Sequence, residues 1–291
     1  PLARDNYAFM GGASPLLAET EAQGAALQAR LSEARPGDTV KVFLAMRYWR
    51  PRAAQTARAV AAFAPDDVVL LPLYPQFSTT TTGSSLAEWA RTYDGPGRPH
   101  GVCCYFEDDG LIEAHAALIG ETWEKAGAPR GVRLLFSAHG LPQSVAASGD
   151  PYRWQVERTC AAVAARLGDG WDWRVCYQSR VGPMKWIGPS TIDEIEAAGR
   201  EGLGVVIDPI AFVSEHVETL VELDRDYAKR AAAAGVAPYI RVPALGTSPR
   251  FIEGLARLAE RALASESPAP GGRACDGALG RCALRNLGLA A

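Results

Sequence analysis

Three carboxylates recur at a spacing of four, Glu218, Glu222 and Asp226, and His216 stands two residues before the first of them. Imidazole and carboxylate together suit two kinds of chemistry, loose capture of a borderline divalent cation and transfer of protons near neutral pH. No Lys or Arg lies between Gly202 and Arg225 to offset the negative charge. Like charges at i, i+4 destabilise a helix by roughly 0.2–0.5 kcal/mol per pair, so the alternative is a solvated acidic face. On an α-helix this spacing drifts round the axis, and one inserted residue, a π-turn within 218–226, aligns the three. Sharing a proton among them raises at least one carboxylate pKa. A second imidazole, His139, stands just after the expected strand 132–137 in SAHGLP, with Gly140 beside it. That places it at the carboxyl end of a strand, where open α/β sheets form ligand crevices, and the expectation is that His139 and Glu218 face each other across one cleft.

The elements that position these residues alternate. Apolar runs at 41–48, 68–73, 101–105, 132–137, 173–177, 204–209 and 239–242 read as strands. Periodic segments at 14–34, 52–63, 86–93, 111–126, 151–167, 190–198 and 249–264 read as helices. Ser214 is the expected N-cap of the carboxylate helix. Such alternation indicates βαβ units and mostly parallel sheets. The loop PLYPQFSTTTTGSS (72–85) has two readings, a hydroxyl-lined rim for polar ligand groups or an ordinary Ser/Thr-capped loop. YAFMGGASP (7–15) reads as a glycine-rich turn.

Composition narrows the class. At 291 residues, 48% apolar, 22% charged and a net charge of −3, the chain has ample core and no basic surplus for nucleic acid. No window approaches the roughly 20 apolar residues of a membrane span. Six cysteines in so long a chain are too few for a secreted disulfide framework and favour reduced thiols in the cytoplasm. The chain starts at Pro1, with no signal-peptide pattern, and is read as lacking upstream sequence. Past Leu263 the composition turns to Gly, Pro and Ala, a tail holding Cys275 and Cys282.

LLFSAHGLP (134–142), YQSRVGPMKWIGPST (177–191) and PIAFVSEHVETLVELD (209–224), with GGASP, AMRYW and YPQFSTTTTGSS before them, stand in the order and spacing of the ferrochelatases. The likeness covers nearly all of 7–263. It implies an α/β fold of two Rossmann-like lobes, each with a parallel four-stranded sheet, enclosing a porphyrin cleft. The division is 1–130 for the first lobe, its first strand missing, 131–264 for the second, and 265–291 for the tail. The implied reaction is insertion of Fe2+ into protoporphyrin IX. A chelatase for coproporphyrin or another tetrapyrrole, and a haem-handling module without turnover, are the alternatives.

By the same resemblance His139 and Glu218 form the insertion pair, His216 supports Glu218, and Glu222 and Asp226 continue a carboxylate line on a π-helical segment, with His139, Glu218, Glu222 and Asp226 available to the metal. Arg47, Tyr48, Ser14 and Tyr7 match residues at the propionates or cleft wall, and Trp186 and Phe212 match cleft residues. Some bacterial members hold a [2Fe–2S] cluster through one first-lobe cysteine and three tail cysteines. Cys104, Cys275 and Cys282 match three of these positions, the fourth is Leu284, and Cys103 is the available substitute; a tail with two free thiols stands as the alternative. The implied partners are porphyrin and ferrous iron. Peripheral contact with the inner membrane, through Leu73, Tyr74 and Phe77, and a monomer or homodimer complete the expectation.

Overall fold

Two parallel sheets, formed one after the other along the chain, carry the architecture of the computed structural model, which describes residues 2–180, 182–265 and 275–281. Helix α1 (Leu2–Phe9) takes in Tyr7–Phe9, the start of the segment read as a turn, and α2 (Leu16–Ala34) follows with Pro15 at its N-cap. After α3 (Ala53–Phe63) comes β1 (Asp67–Leu70), then α4 (Thr82–Thr92), β2 (Arg98–Gly101) and α5 (Asp109–Lys125). Strands β1 and β2 pair in parallel. The first sheet therefore has two strands among the described residues, where four were expected.

The segment 41–48 accounts for part of the difference. Its apolar pattern is that of a strand, but its backbone groups are satisfied elsewhere: Val42 N donates to Gln28 Oε1 at 2.9 Å, Met46 N to Pro51 O at 2.8 Å, and Leu44 O accepts from Thr56 Oγ1. Apart from one isolated bridge between Met46 and Arg52, the segment pairs with no strand among the described residues and so forms no ladder.

The second lobe has the expected four strands. After β3 (Val132–His139) come the short α6 (Gln143–Ala147), α7 (Tyr152–Leu167), β4 (Asp172–Gln178), α8 (Thr191–Arg200) and β5 (Gly204–Asp208). The π-helix Val217–Tyr227 runs into α9 (Ala228–Ala233), and β6 (Tyr239–Arg241) and α10 (Pro249–Ala264) close the chain. The order is β4-β3-β5-β6, all parallel. Leu134, Leu135, Phe136, Val205, Val206 and Ile207 are fully buried. A sheet covered on both faces reads as a continuous apolar run, which is why these strands were plain in the sequence.

Helix α10 turns back to the first lobe, where Phe251, Leu255 and Ala256 join Leu27, Leu31, Val102 and Leu111 in one core cluster. Its crossing of α5 is close: a Cβ on Gly110 would lie 2.7 Å from Gly254 Cα, so glycine at both positions sets the helix spacing.

The loop after β1 joins the lobes. Asp150 Oδ2 accepts from Thr79 N at 2.8 Å, Thr79 Oγ1 at 2.7 Å and Ser78 Oγ at 3.1 Å, and Gln76 donates to Thr159 Oγ1. The hydroxyls of Ser78 and Thr79 thus face this junction, whereas Ser84 Oγ meets Arg47. The loop also cannot offer the membrane contact expected at Phe77, which is 1% exposed, while Leu73 and Tyr74 are half-buried. The exposed aromatics are Tyr7, Phe9, Tyr48 and Trp49.

Candidate active site

Strand β3 runs two residues past its expected end and delivers His139 as its last residue, paired in register with Gln178. Gly140 follows because nothing larger fits: a Cβ there would stand 2.7 Å from Gln178 O. The opposing group comes from the π-helix, which begins two residues later than a Ser214 cap would place it. His216 is the N-cap, with its N–H donating to Thr219 Oγ1 at 2.9 Å. Ser214 Oγ donates instead to Gln23 Oε1 on α2, and Gln23 Nε2 donates to Val213 O at 2.7 Å, fastening the entry of the π-helix to the first lobe.

His139 Nδ1 and Glu218 Oε2 lie 2.8 Å apart, and His216 Nε2 lies 4.0 Å from the same oxygen. Phe212, largely buried, packs its ring edge-on to His216 at 5.0 Å and to His139 at 6.4 Å. Burial works against charge on His139, but the hydrogen bond and charge of Glu218, with Glu222 behind it, hold the imidazole above its ordinary pKa. Burial likewise pushes Glu218 up, and the hydrogen bond from His139 with the charges of both histidines brings it below the usual carboxylate value. His216 is depressed, burial outweighing the pull of Glu218 and Glu215. The site is therefore a hydrogen-bonded His139–Glu218 pair in which each partner favours the charged form of the other, flanked by His216, whose charged form is disfavoured. The expected rise in a carboxylate pKa is not what Glu218 shows, because its partner is an imidazole and not another carboxylate.

The π-turn is present and extends over the whole segment 217–227. A looser turn brings residues four apart closer to one line than an α-helix does. The three carboxylates nevertheless differ in surroundings. Glu222 accepts from Gln178 Nε2, Ser179 N, Ser179 Oγ and Tyr227 OH at 2.5–3.0 Å. Asp226 is half-exposed and paired with Arg225 at 2.7 Å. Among the described residues no three His, Cys, Asp or Glu side chains close around one point as a metal centre.

Arg47 donates from Nε to Ser84 Oγ at 3.1 Å, pairs with Glu88 at 3.1 Å, and lies over the Tyr48 ring. Burial raises the Tyr74 hydroxyl, Tyr48 and Glu218 add to the rise and Arg47 opposes it, so Tyr74 sits within electrostatic reach of both lobes. Trp186, half-buried, bridges to Pro142 and covers Gly140 at 3.2 Å from its Cβ position. Ser14 Oγ faces Leu16 N at the start of α2, and Tyr7 is about half exposed on α1. Sequence reasoning missed Gln178, Ser179 and Tyr227 around Glu222. Gln178 and Ser179 follow a strand end as His139 does, which was the available signal; the reach of Tyr227 depends on the π-turn.

A second cluster holds sulfur. Gln155 Nε2 donates to Cys275 Sγ at 3.0 Å and to Cys104 Sγ at 3.4 Å. The Cys104 thiol is pushed well up, by hydrogen bonding with Cys103, then with Cys275, then by burial. Cys282 and Leu284 lie outside the described residues.

The ferrochelatase family model matches residues 1–263. A ferrochelatase of Phenylobacterium zucineum is 60% identical over 289 residues, 99% of this chain and 84% of its own length. One from Caulobacter vibrioides is 63% identical over 273 residues, 94% of this chain and 78% of its own. Among solved structures, SirB from Bacillus subtilis with Fe3+ superposes with a TM-score of 0.56 at 15% identity, covering 84% of this chain and 90% of SirB. A Deinococcus radiodurans protein described as structurally similar to chelatases gives 0.58 at 18% identity, covering 83% of this chain and 50% of that one. At these identities the structures speak for the fold.

Proposed function

The chain belongs to the ferrochelatase family, and from that premise we propose that it inserts ferrous iron into protoporphyrin IX, the metal bonding to all four ring nitrogens as two pyrrole N–H bonds are lost and two protons leave. The observation that carries the reading is the His139–Glu218 contact. With Glu218 ionised and accepting from Nδ1–H, the Nε2 lone pair of His139 is free to take a pyrrole proton, and the carboxylate offsets the charge that then forms on the ring. The lifted pKa of His139 makes it the stronger base. Ferrous iron, the substrate metal, accepts imidazole and carboxylate, and an incomplete ligand set suits an ion that must be handed on. Glu218 and His139 are its acceptors in this reading, with Glu222 and Asp226 marking a route along the π-helix. Arg47, Tyr48, Ser14 and Tyr7 line the propionate side, and Trp186 and Phe212 the wall.

A [2Fe–2S] group, for which four thiolates are the usual set, is the second reading, supported by Cys104 and Cys275 meeting at the Gln155 amide with Cys103 beside Cys104. Cys104 and Cys275 would hold it, with Cys282 from the tail and Cys103 standing in for the position that is Leu284. The protein is read as cytoplasmic, with peripheral membrane contact moved from the buried Phe77 to Tyr48 and Trp49, 69% and 63% exposed and followed by Arg50 and Arg52. Among the described residues no helix is long and apolar enough to cross a membrane.

Iron insertion by the full chain, assayed side by side with protoporphyrin IX and coproporphyrin III, tests the substrate. A higher kcat/KM for protoporphyrin is expected, and a preference for the four-propionate porphyrin would replace this assignment.

A further inference from the structure

Two side chains on one face of β6, Tyr239 and Arg241, reach the π-helix. Tyr239 OH donates to Leu223 O at 3.0 Å. Arg241 ends the strand, paired in register with Ile207 of β5, and its guanidinium engages two carboxylates. Nε and Nη2 donate to Asp224 Oδ1 and Oδ2 at 2.6 and 2.7 Å, and Nη1 donates to Glu215 Oε1. The same Glu215 oxygen accepts from Ala244 N at 3.0 Å. Glu215 directly precedes the N-cap His216, and Asp224 lies just past Glu222. One planar group thus spans the stretch that carries His216, Glu218 and Glu222. Arg241 and Glu215 are 15% and 18% exposed, so water competes little for either.

π-Helical turns are rare and mostly single, whereas this run covers 217–227. Contacts from outside the helix must therefore hold it. Rewinding to α-helical bonds would lengthen the segment, turn Glu218 about the axis away from His139, and part Glu215 from Asp224. A guanidinium fork of fixed geometry resists that parting. A lysine ammonium, a point charge on a flexible stem, does not hold both carboxylates in the same way. We propose that Arg241 is a positioning residue of the insertion site: by bridging Glu215 and Asp224 it keeps 217–227 π-helical and Glu218 on His139, a role that rests on the His139–Glu218 reading above. It acts through the helix and touches neither porphyrin nor substrate iron.

The test uses the full chain, with metal-insertion kinetics, thermal unfolding and backbone hydrogen exchange as readouts. Arg133 is the control, a buried arginine near the start of β3 whose two carboxylate partners, Asp172 and Glu201, lie outside the π-helix. Arg241→Lys is expected to lower kcat about 10–100-fold, the scale on which a displacement of about 1 Å acts. Porphyrin KM should stay the same, and exchange should quicken over 217–227. Asp224→Asn leaves the Glu215 contact in place and should move kcat and exchange the same way by less; it carries the test if Arg241→Lys does not fold. Arg133→Lys is expected to unfold at a lower temperature with wild-type kcat in the folded protein. Wild-type kcat in both π-helix variants, a fall in kcat without faster exchange at 217–227, or an equal loss of kcat in Arg133→Lys overturns the role of Arg241 and leaves the His139–Glu218 reading standing. Wild-type kcat in His139→Ala overturns that reading and this inference with it.

Discussion

His139 and Glu218, 79 positions apart in sequence, meet through Nδ1 and Oε2 at 2.8 Å, one at the end of a buried strand and the other on the first turn of a π-helix. The contact holds the imidazole in one tautomer and aims Nε2 away from the carboxylate. Replacing His139 by Ala is expected to lower kcat by about 10²–10⁴-fold, the usual contribution of a positioned base. Porphyrin affinity, measured by fluorescence quenching, is expected to change little, because Arg47 and Tyr48 lie on the other lobe. Near wild-type turnover in the variant would remove His139 from the mechanism.

The pair also predicts a pH profile. His139 must be neutral at Nε2 to accept a proton, and its pKa is raised above the ordinary value near 6.5. The acid limb of kcat/KM should therefore inflect above about 6.5. Glu218→Gln removes the charge that raises it, so that limb should move to lower pH even as the rate falls. For stability the signs differ between partners. The contribution of His139 is complete below its unfolded pKa and lost as pH rises through the folded one; that of Glu218 is complete above its unfolded pKa and lost as pH falls through its depressed folded value. Both are present together between about pH 4.5 and 6.5, and urea midpoints measured across pH 3–9 should show the Glu218→Gln penalty greatest in that window.

Gly140 gives a prediction about packing. A Cβ there would stand 2.7 Å from Gln178 O and 3.2 Å from the Trp186 ring, and Gln178 is itself bonded to Glu218 O and Glu222. Gly140→Ala should cost about 1–3 kcal/mol, the usual penalty of overpacking, read as a lower urea midpoint with unchanged slope. Because the displaced carbonyl belongs to the residue paired with His139, kcat should drop as well.

The second lobe was legible because its strands are buried on both faces and so carry unbroken apolar runs, Leu134 to Phe136 and Val205 to Ile207. The first lobe was less so. The segment 41–48 has the same pattern but pairs with no strand among the described residues, and apolar periodicity reports burial and not pairing. His139 and Glu218 were visible as a His after a strand and a carboxylate series. What surrounds Glu222 was not, since Ser179 and Tyr227 reach it only through the π-turn and the chain reversal after β4. Ser214 misled for a similar reason: its hydroxyl satisfies Gln23, 191 residues away in sequence, and local capping rules cannot see a partner from the other lobe.

Arg47 carries the last prediction. Its guanidinium is held by Glu88 at 3.1 Å and Ser84 at 3.1 Å, and both side chains of the ion pair are about three-quarters buried, at 25% and 21% exposure. A propionate arriving at Arg47 must therefore compete with a carboxylate already in place. If Arg47 is the propionate contact, Glu88→Gln leaves the guanidinium less engaged and should lower the porphyrin KM several-fold, with kcat unchanged. Arg47→Leu should do the reverse. A charge-assisted hydrogen bond contributes about 1.5–3 kcal/mol, which corresponds to a rise in KM of about 10–100-fold. Raising the salt concentration should weaken the wild type more than Arg47→Leu, since only the former has the charge to screen. Steady-state kinetics on both variants at two ionic strengths separate the possibilities: opposite movements of KM place the propionate at Arg47, whereas a fall in kcat alone in both would make the Arg47–Glu88 pair a brace for the wall around Tyr48 and Tyr74.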